Sequence, residues 1–110
     1  MTRFARAGAM ALALAALPTT VQAQDGMAGM HSWVRIGGRT CMLAHFHDGS
    51  ATGKTQAEAE RAAITAWESF TAWEYSHRWG RYSNAVSKSK TCNGTRGEFS
   101  CTVSARPCRY

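Results

Sequence analysis

The segment His45-Phe46-His47-Asp48 carries the residue types best suited to chemistry. On a strand, alternate residues share a face, so His45 and His47 would lie on one side, roughly 7 Å apart at Cα. Asp48 follows as a neighbouring carboxylate. Imidazole and carboxylate ligands in this order suit zinc or copper. A facing ligand is still required, and His77 or His31 is available to supply it through the tertiary fold. A second soft-ligand group, Met27, Met30 and His31, combines thioethers with an imidazole and would hold copper. The plainer alternative is a pair of partly exposed strand histidines behind an unstructured linker.

The four cysteines, Cys41, Cys92, Cys101 and Cys108, are separated by 50, 8 and 6 intervening residues. That spacing matches no zinc finger, and a Cys-x-x-Cys redox pair is absent. They therefore read as two disulfides. Four cysteines allow three connectivities, of which Cys92–Cys101 with Cys41–Cys108 is favoured.

Other catalytic readings find less support. Gly49-Ser-Ala-Thr-Gly53-Lys54-Thr55 stands where a phosphate-binding loop would, but only three residues separate its glycines where such a loop needs four. No Gly-x-Ser-x-Gly elbow is present, and Glu60, Glu68 and Glu74 are expected to scatter over a helix surface. No catalytic residue is nominated and the expectation is a non-enzymatic protein. Trp67 and Trp73 read as core, whereas Trp79 and Tyr82, beside Arg78 and Arg81, read as an exposed aromatic pair.

Charge is unevenly distributed. Arg78 to Tyr110 holds seven bases and one acid, Glu98, whereas Gln24 to His77 holds four bases and six acids. The basic half, with Arg78, Trp79, Arg81, Tyr82, Lys88 and Lys90, is the expected site for an anionic partner such as lipopolysaccharide or phospholipid. The plainer alternative is a soluble positive face with no dedicated partner, because the charges are spaced rather than clustered; nucleic acid is not the expected partner.

These residues must be held by a small number of elements. Arg3 and Arg6, the apolar run Ala7 to Leu17, Pro18 and Val21-Gln22-Ala23 have the form of an export signal spanning residues 1–23. The run is too short to cross a bilayer as a finished helix. Residues 24–38 read as a flexible leader, with Trp33 to Ile36 available for a short strand. Residues 39–110 then form one disulfide-stabilised domain, periplasmic or secreted. Cys41 to His47 reads as a strand closed by a turn at Asp48-Gly49. A helix is expected from Gln56 to Arg78, opened by the capping pair Thr55 and Glu58 and closed by Gly80. Its core stripe would be Ala59, Ala63, Ala66, Phe70, Trp73 and His77. Small residues in its first half would let it lie close to a sheet. Val86 to Cys92 and Glu98 to Ala105 form a hairpin in which Cys92 faces Cys101 if the bend is centred between Arg96 and Gly97.

From Ala57 to Cys108 the chain resembles a set of small exported alphaproteobacterial proteins of unassigned function. The shared frame is Ala63, Trp67, Phe70, Tyr75-Ser76, Trp79, Tyr82, Ala85, Lys88, Cys92, Cys101 and the ending Ala105-Arg106-Pro107-Cys108. Ser76 stands where those sequences more often have Gly. The resemblance implies a stapled domain and carries over no activity. The order strand, helix, hairpin also resembles the dodecin-like β-α-β-β arrangement. The expected fold is α+β, a small antiparallel sheet packed on one long helix, whose exposed edge strand would permit a homodimer. The functional expectation is an exported module binding an anionic envelope partner, with periplasmic copper or zinc binding as the alternative.

Overall fold

The computed structural model describes residues 26–110, together with residues 8, 11–13 and 15–16. The expected export signal, residues 1–23, therefore lies mostly outside the described residues. The chain is α+β, as its sequence suggests, but it forms two three-stranded antiparallel sheets. Strands β1 (Trp33–Ile36), β2 (Arg39–Met42) and β6 (Cys108–Arg109) form one, in the order β1-β2-β6. Strands β3 (His47–Gly53), β4 (Val86–Thr95) and β5 (Glu98–Arg106) form the other, in the order β3-β5-β4. Among the described residues the one α-helix, α1, runs from Gln56 to Tyr75 and covers the second sheet. Among the described residues, no helix is long and apolar enough to cross a membrane.

Helix α1 begins where its capping residues dictate. The Thr55 hydroxyl accepts the Glu58 amide at 3.1 Å, and the Glu58 carboxylate reaches back to the Lys54 amide at 3.1 Å. Its buried face is the row Ala59, Ala63, Trp67, Thr71 and Tyr75. This corrects the expected stripe, since Trp73 is 78% exposed and Phe70 is 46% exposed. An i+4 row drifts by about 40° per step around a straight helix. The direction facing the protein has therefore moved away from Phe70 by the last two turns. Phe70 and Trp73 stack on each other at the surface instead.

The glycine-rich segment that imitates a phosphate loop is strand β3 itself. A Cβ on Gly49 would collide with the Ala63 carbonyl and the Trp67 amide, and one on Gly53 would meet the Ala59 amide. Glycine here permits backbone-to-backbone approach of helix and strand. Asp48-Gly49 is accordingly not a turn, and the strand expected over Cys41–His47 is interrupted by the non-strand residues 43–46. Ala59, Ala63 and Trp67 pack on Cys101, Val103 and Ala105 of β5, with Ala51 of β3 at the margin. The Trp67 indole donates to the His47 carbonyl at 2.8 Å, which ties the helix to the first residue of β3.

Residues 26–38 are not a separate leader. Gly26–Met30 forms a 3-10 turn whose Ala28 is fully buried with Met42, Tyr75 and Trp79. The Trp33 indole donates to the Ala28 carbonyl at 2.8 Å, and β1 pairs with β2 through Trp33–Met42 and Val34–Cys41. A small alanine wedged among three large side chains anchors what composition alone presents as a linker. Both favoured disulfides are formed. Cys92 and Cys101 are register partners in β4 and β5, and Cys41 and Cys108 are register partners in β2 and β6.

The helix ends at Tyr75, short of the expected end at Arg78, and Ser76 rather than Gly80 closes it. Ser76 has φ 101° and ψ 165°, and its amide still reaches the Ala72 carbonyl at 2.9 Å. Gly80 instead gives Ala72 and the Glu68 carbonyl room to approach.

Candidate metal centre

Strand β3 starts at His47, and the chain before it bends so that His45 turns towards the last turn of α1. The ligand atoms of His45, His47 and Glu74 all lie within 4.8 Å of one another. Two atoms each about 2.0–2.1 Å from a tetrahedral zinc are roughly 3.3 Å apart, so this spacing needs little adjustment to close on one ion. His31 is brought in beside His45. The Leu43 amide donates to the Ser32 carbonyl at 2.9 Å, which ties the two segments together, and the His31 and His45 ring centroids are 4.8 Å apart. Beside these rings lies a cleft of about 200 Å3, lined by His31, Ser32, Leu43, Ala44 and His45.

Tyr75 forms the floor. It is fully buried and its ring stacks on His47 at 4.8 Å between centroids, with His31 at 5.4 Å and His45 at 5.7 Å meeting it edge-on. Burial, followed by the neighbouring Glu74 charge, raises the phenol well above its ordinary value of 10.0, so it stays a neutral spacer.

His47 decides the chemistry. It is 3% exposed, its Nδ1 lies 2.8 Å from the Thr71 hydroxyl, and its Nε2 lies 2.9 Å from a Glu74 oxygen. The second contact is an ion-pair distance without hydrogen-bond alignment, and Nε2 is left as a buried polar atom with no hydrogen-bond partner. Desolvation is the largest influence on this imidazole and lowers its pKa below 6.5. The Glu74 charge opposes that shift, His45 and His31 reinforce it, and Asp48 opposes it. A neutral ring donating from Nδ1–H to Thr71 leaves the Nε2 lone pair unpaired beside the Glu74 carboxylate, not aimed at its near oxygen. Two acceptors at that distance repel, and a cation bound to both from beside them would relieve the repulsion. The tautomer with its proton on Nε2 would bond Glu74 without any ion, but its N–H does not point at the oxygen. Thr71 then takes the part that outer partners play around bound metals, holding the ring and its tautomer.

The sequence-nominated residues divide sharply. His45, His47 and His31 converge. Asp48 is exposed on the opposite side of β3 from His47, Met30 is 82% exposed, and Met27 is 42% exposed. Asp48 does not belong to the ligand cluster, and neither does His77, which lines a separate cleft with Glu68 and Arg81. Glu74, expected to sit apart on the helix surface, is the carboxylate that joins the histidines. Thr71 and Tyr75 were also missed. The available signal was a threonine in the i+4 row that continues Ala59, Ala63 and Trp67, because a buried hydroxyl needs a polar partner.

The anionic-partner residues are also rearranged. Trp79 is fully buried, in edge contact with Tyr75, and offers no surface. Tyr82 packs edge-on against Trp67 with Lys88 above its ring, and Lys90 is ion-paired with Glu60 at 2.9 Å. Arg78 and Arg81 remain exposed. Comparison of the chain with protein-family models, curated proteins and solved structures finds no match.

Proposed function

We propose that this protein is an exported binder of one divalent transition-metal ion, held by His45, His47 and Glu74, with His31 at the mouth of the site. The observation that carries this reading is the buried His47 Nε2, 2.9 Å from a Glu74 oxygen yet aligned with no hydrogen-bond partner. Imidazole with carboxylate selects zinc or copper(II) over magnesium or calcium, and copper binds more tightly by the general order of metal affinities. A set of two imidazoles and one carboxylate leaves a position for His31 or water, as open zinc sites do. Two disulfides favour an oxidising compartment, and the leader-like composition of residues 1–23 supports export into the periplasm or beyond.

The reading is tested by calorimetry and native mass spectrometry of the oxidised protein with zinc and with copper(II). One ion per chain is expected. Glu74→Gln, which keeps shape and removes the charge, and His45→Ala should each weaken binding by at least tenfold. Binding by the wild type no tighter than that by the Glu74→Gln, His45→Ala double variant would end the proposal. Thermal melts of the metal-free variants separate loss of ligands from loss of fold.

A further inference from the structure

The segment after helix α1 and the end of strand β6 meet around a second recess, of about 200 Å3, lined by Arg78, Arg81, Asn84, Arg109 and Tyr110. At roughly 30 Å3 per water, it has room for several waters or a small tetrahedral anion. Three of its five lining residues are arginines and none has an acidic side chain. Among the described residues the ion pairs are His47–Glu74 and Lys90–Glu60, so no carboxylate neutralises these guanidinium groups. An acid on an adjoining wall is Glu68. It shares a neighbouring cleft with Arg81 and accepts the Tyr82 amide at 3.1 Å.

Arg109 is unusually constrained for a cation without an acidic partner. Its guanidinium carbon lies 5.1 Å from the Trp33 ring centre and 5.3 Å from that of Trp79. The two indole centres are 5.6 Å apart, so both rings hold the group from one side, and its N–H donors turned away from them are left to recognise a ligand. Its Nε is buried with no hydrogen-bond partner. The wall is braced in the same way. Arg39 donates to the Asn84 carbonyl at 3.3 Å and to the Tyr110 hydroxyl at 3.4 Å. Planar guanidinium forks match a phosphoryl group through paired hydrogen bonds, and several together favour a doubly charged tetrahedral anion over a carboxylate.

We propose that the recess formed by Arg78, Arg81 and Arg109 binds a phosphoryl group, with Arg109 held in place by Trp33 and Trp79. The site shares no residue with the metal centre, and the two readings stand or fall separately. A phosphomonoester lipid headgroup and free inorganic phosphate would present the same chemistry.

The test uses the oxidised full chain in chelator at low salt. One arm measures calorimetric binding of inorganic phosphate, and the other measures retention on vesicles of phosphatidylcholine with and without phosphatidic acid. Binding in either arm supports the site and identifies the phosphoryl source. Arg109→Lys keeps the charge but loses the fork, and Arg78→Gln removes an exposed cation. Each should weaken binding about 10- to 100-fold, the loss expected for a hydrogen bond to a charged group. Lys88→Gln, outside the recess, should change binding less than twofold. Binding in neither arm, wild-type affinity in both arginine variants, or equal loss in Lys88→Gln would overturn the assignment. Arg78→Gln keeps the test decisive should Arg109→Lys disturb the packing of the two tryptophans.

Discussion

Ser76 offers a sharp test of how the helix bearing Glu74 is brought to an end. Its φ of 101° and ψ of 165° occupy a region that L-residues seldom enter, and its hydroxyl is buried with no hydrogen-bond partner. Holding a side chain there costs about 1–3 kcal/mol. Glycine removes that cost while adding about 0.4–1 kcal/mol of unfolded-state entropy. The net expectation for Ser76→Gly over Ser76→Ala is a gain of about 1 kcal/mol, or roughly 4–8 °C in Tm for a domain of this size. The alanine variant is the essential comparison. Both substitutions discard the unsatisfied hydroxyl, but only glycine releases the backbone. Elsewhere in an ordered chain glycine is normally the less stable of the two, so the sign alone is diagnostic. Urea unfolding of the oxidised protein, with unchanged m-values, measures the difference. If the alanine variant equals or exceeds the glycine variant, no strained residue ends the helix and the assignment of strain to Ser76 is wrong.

The metal-free protein should lose stability on acidification because of His47. Its folded pKa lies below its ordinary value of 6.5, so the unfolded chain takes up the proton first. Stability is then full above about 6.5 and falls as pH drops towards the lower folded value. His45, His31, Glu74 and Asp48 all face or flank this ring, so urea midpoints across this range should be compared with those of His47→Gln, whose profile should be flatter. The two crosslinks should differ in worth. Replacing Cys92 and Cys101 by serine opens a loop of sequence separation 9, and replacing Cys41 and Cys108 opens one of separation 67. Chain entropy assigns these losses of about 2.7 and 4.4 kcal/mol. Denaturant titration finding the short-loop variant the less stable would contradict that ordering.

Local chemistry is legible in this sequence wherever the partner lies close along the chain. Thr55 and Glu58 announce the helix start because both ends of the cap lie within a single turn. The alternation from Glu98 to Ala105 announces β5, and a hairpin bend near Gly97 puts Cys92 opposite Cys101. With that pair assigned, Cys41 has only Cys108 left. The misreadings arise where distant segments decide the outcome. Gly49 resembles a turn residue until a helix is laid across it, and only then does the missing Cβ become the reason for its presence. Phe70 and Trp73 carry the large apolar surface expected of a core, yet the helix is seated by small residues facing small residues, and its buried row leaves both outside.

The candidate site divides along the same line. The sequence determined that His45 and His47 are two residues apart, that His31 follows a short glycine-containing segment, and that four cysteines await an oxidant. Which carboxylate completes the group was decided by the tertiary fold. Trp67 hydrogen-bonds to the His47 carbonyl and sets the helix register against β3, and Glu74 lies two turns further along that helix. The packing of Ala28 beneath Tyr75 and Trp79 similarly converts an apparent linker into the wall that carries His31. Helical periodicity says which residues share a face, but it does not say what that face will meet.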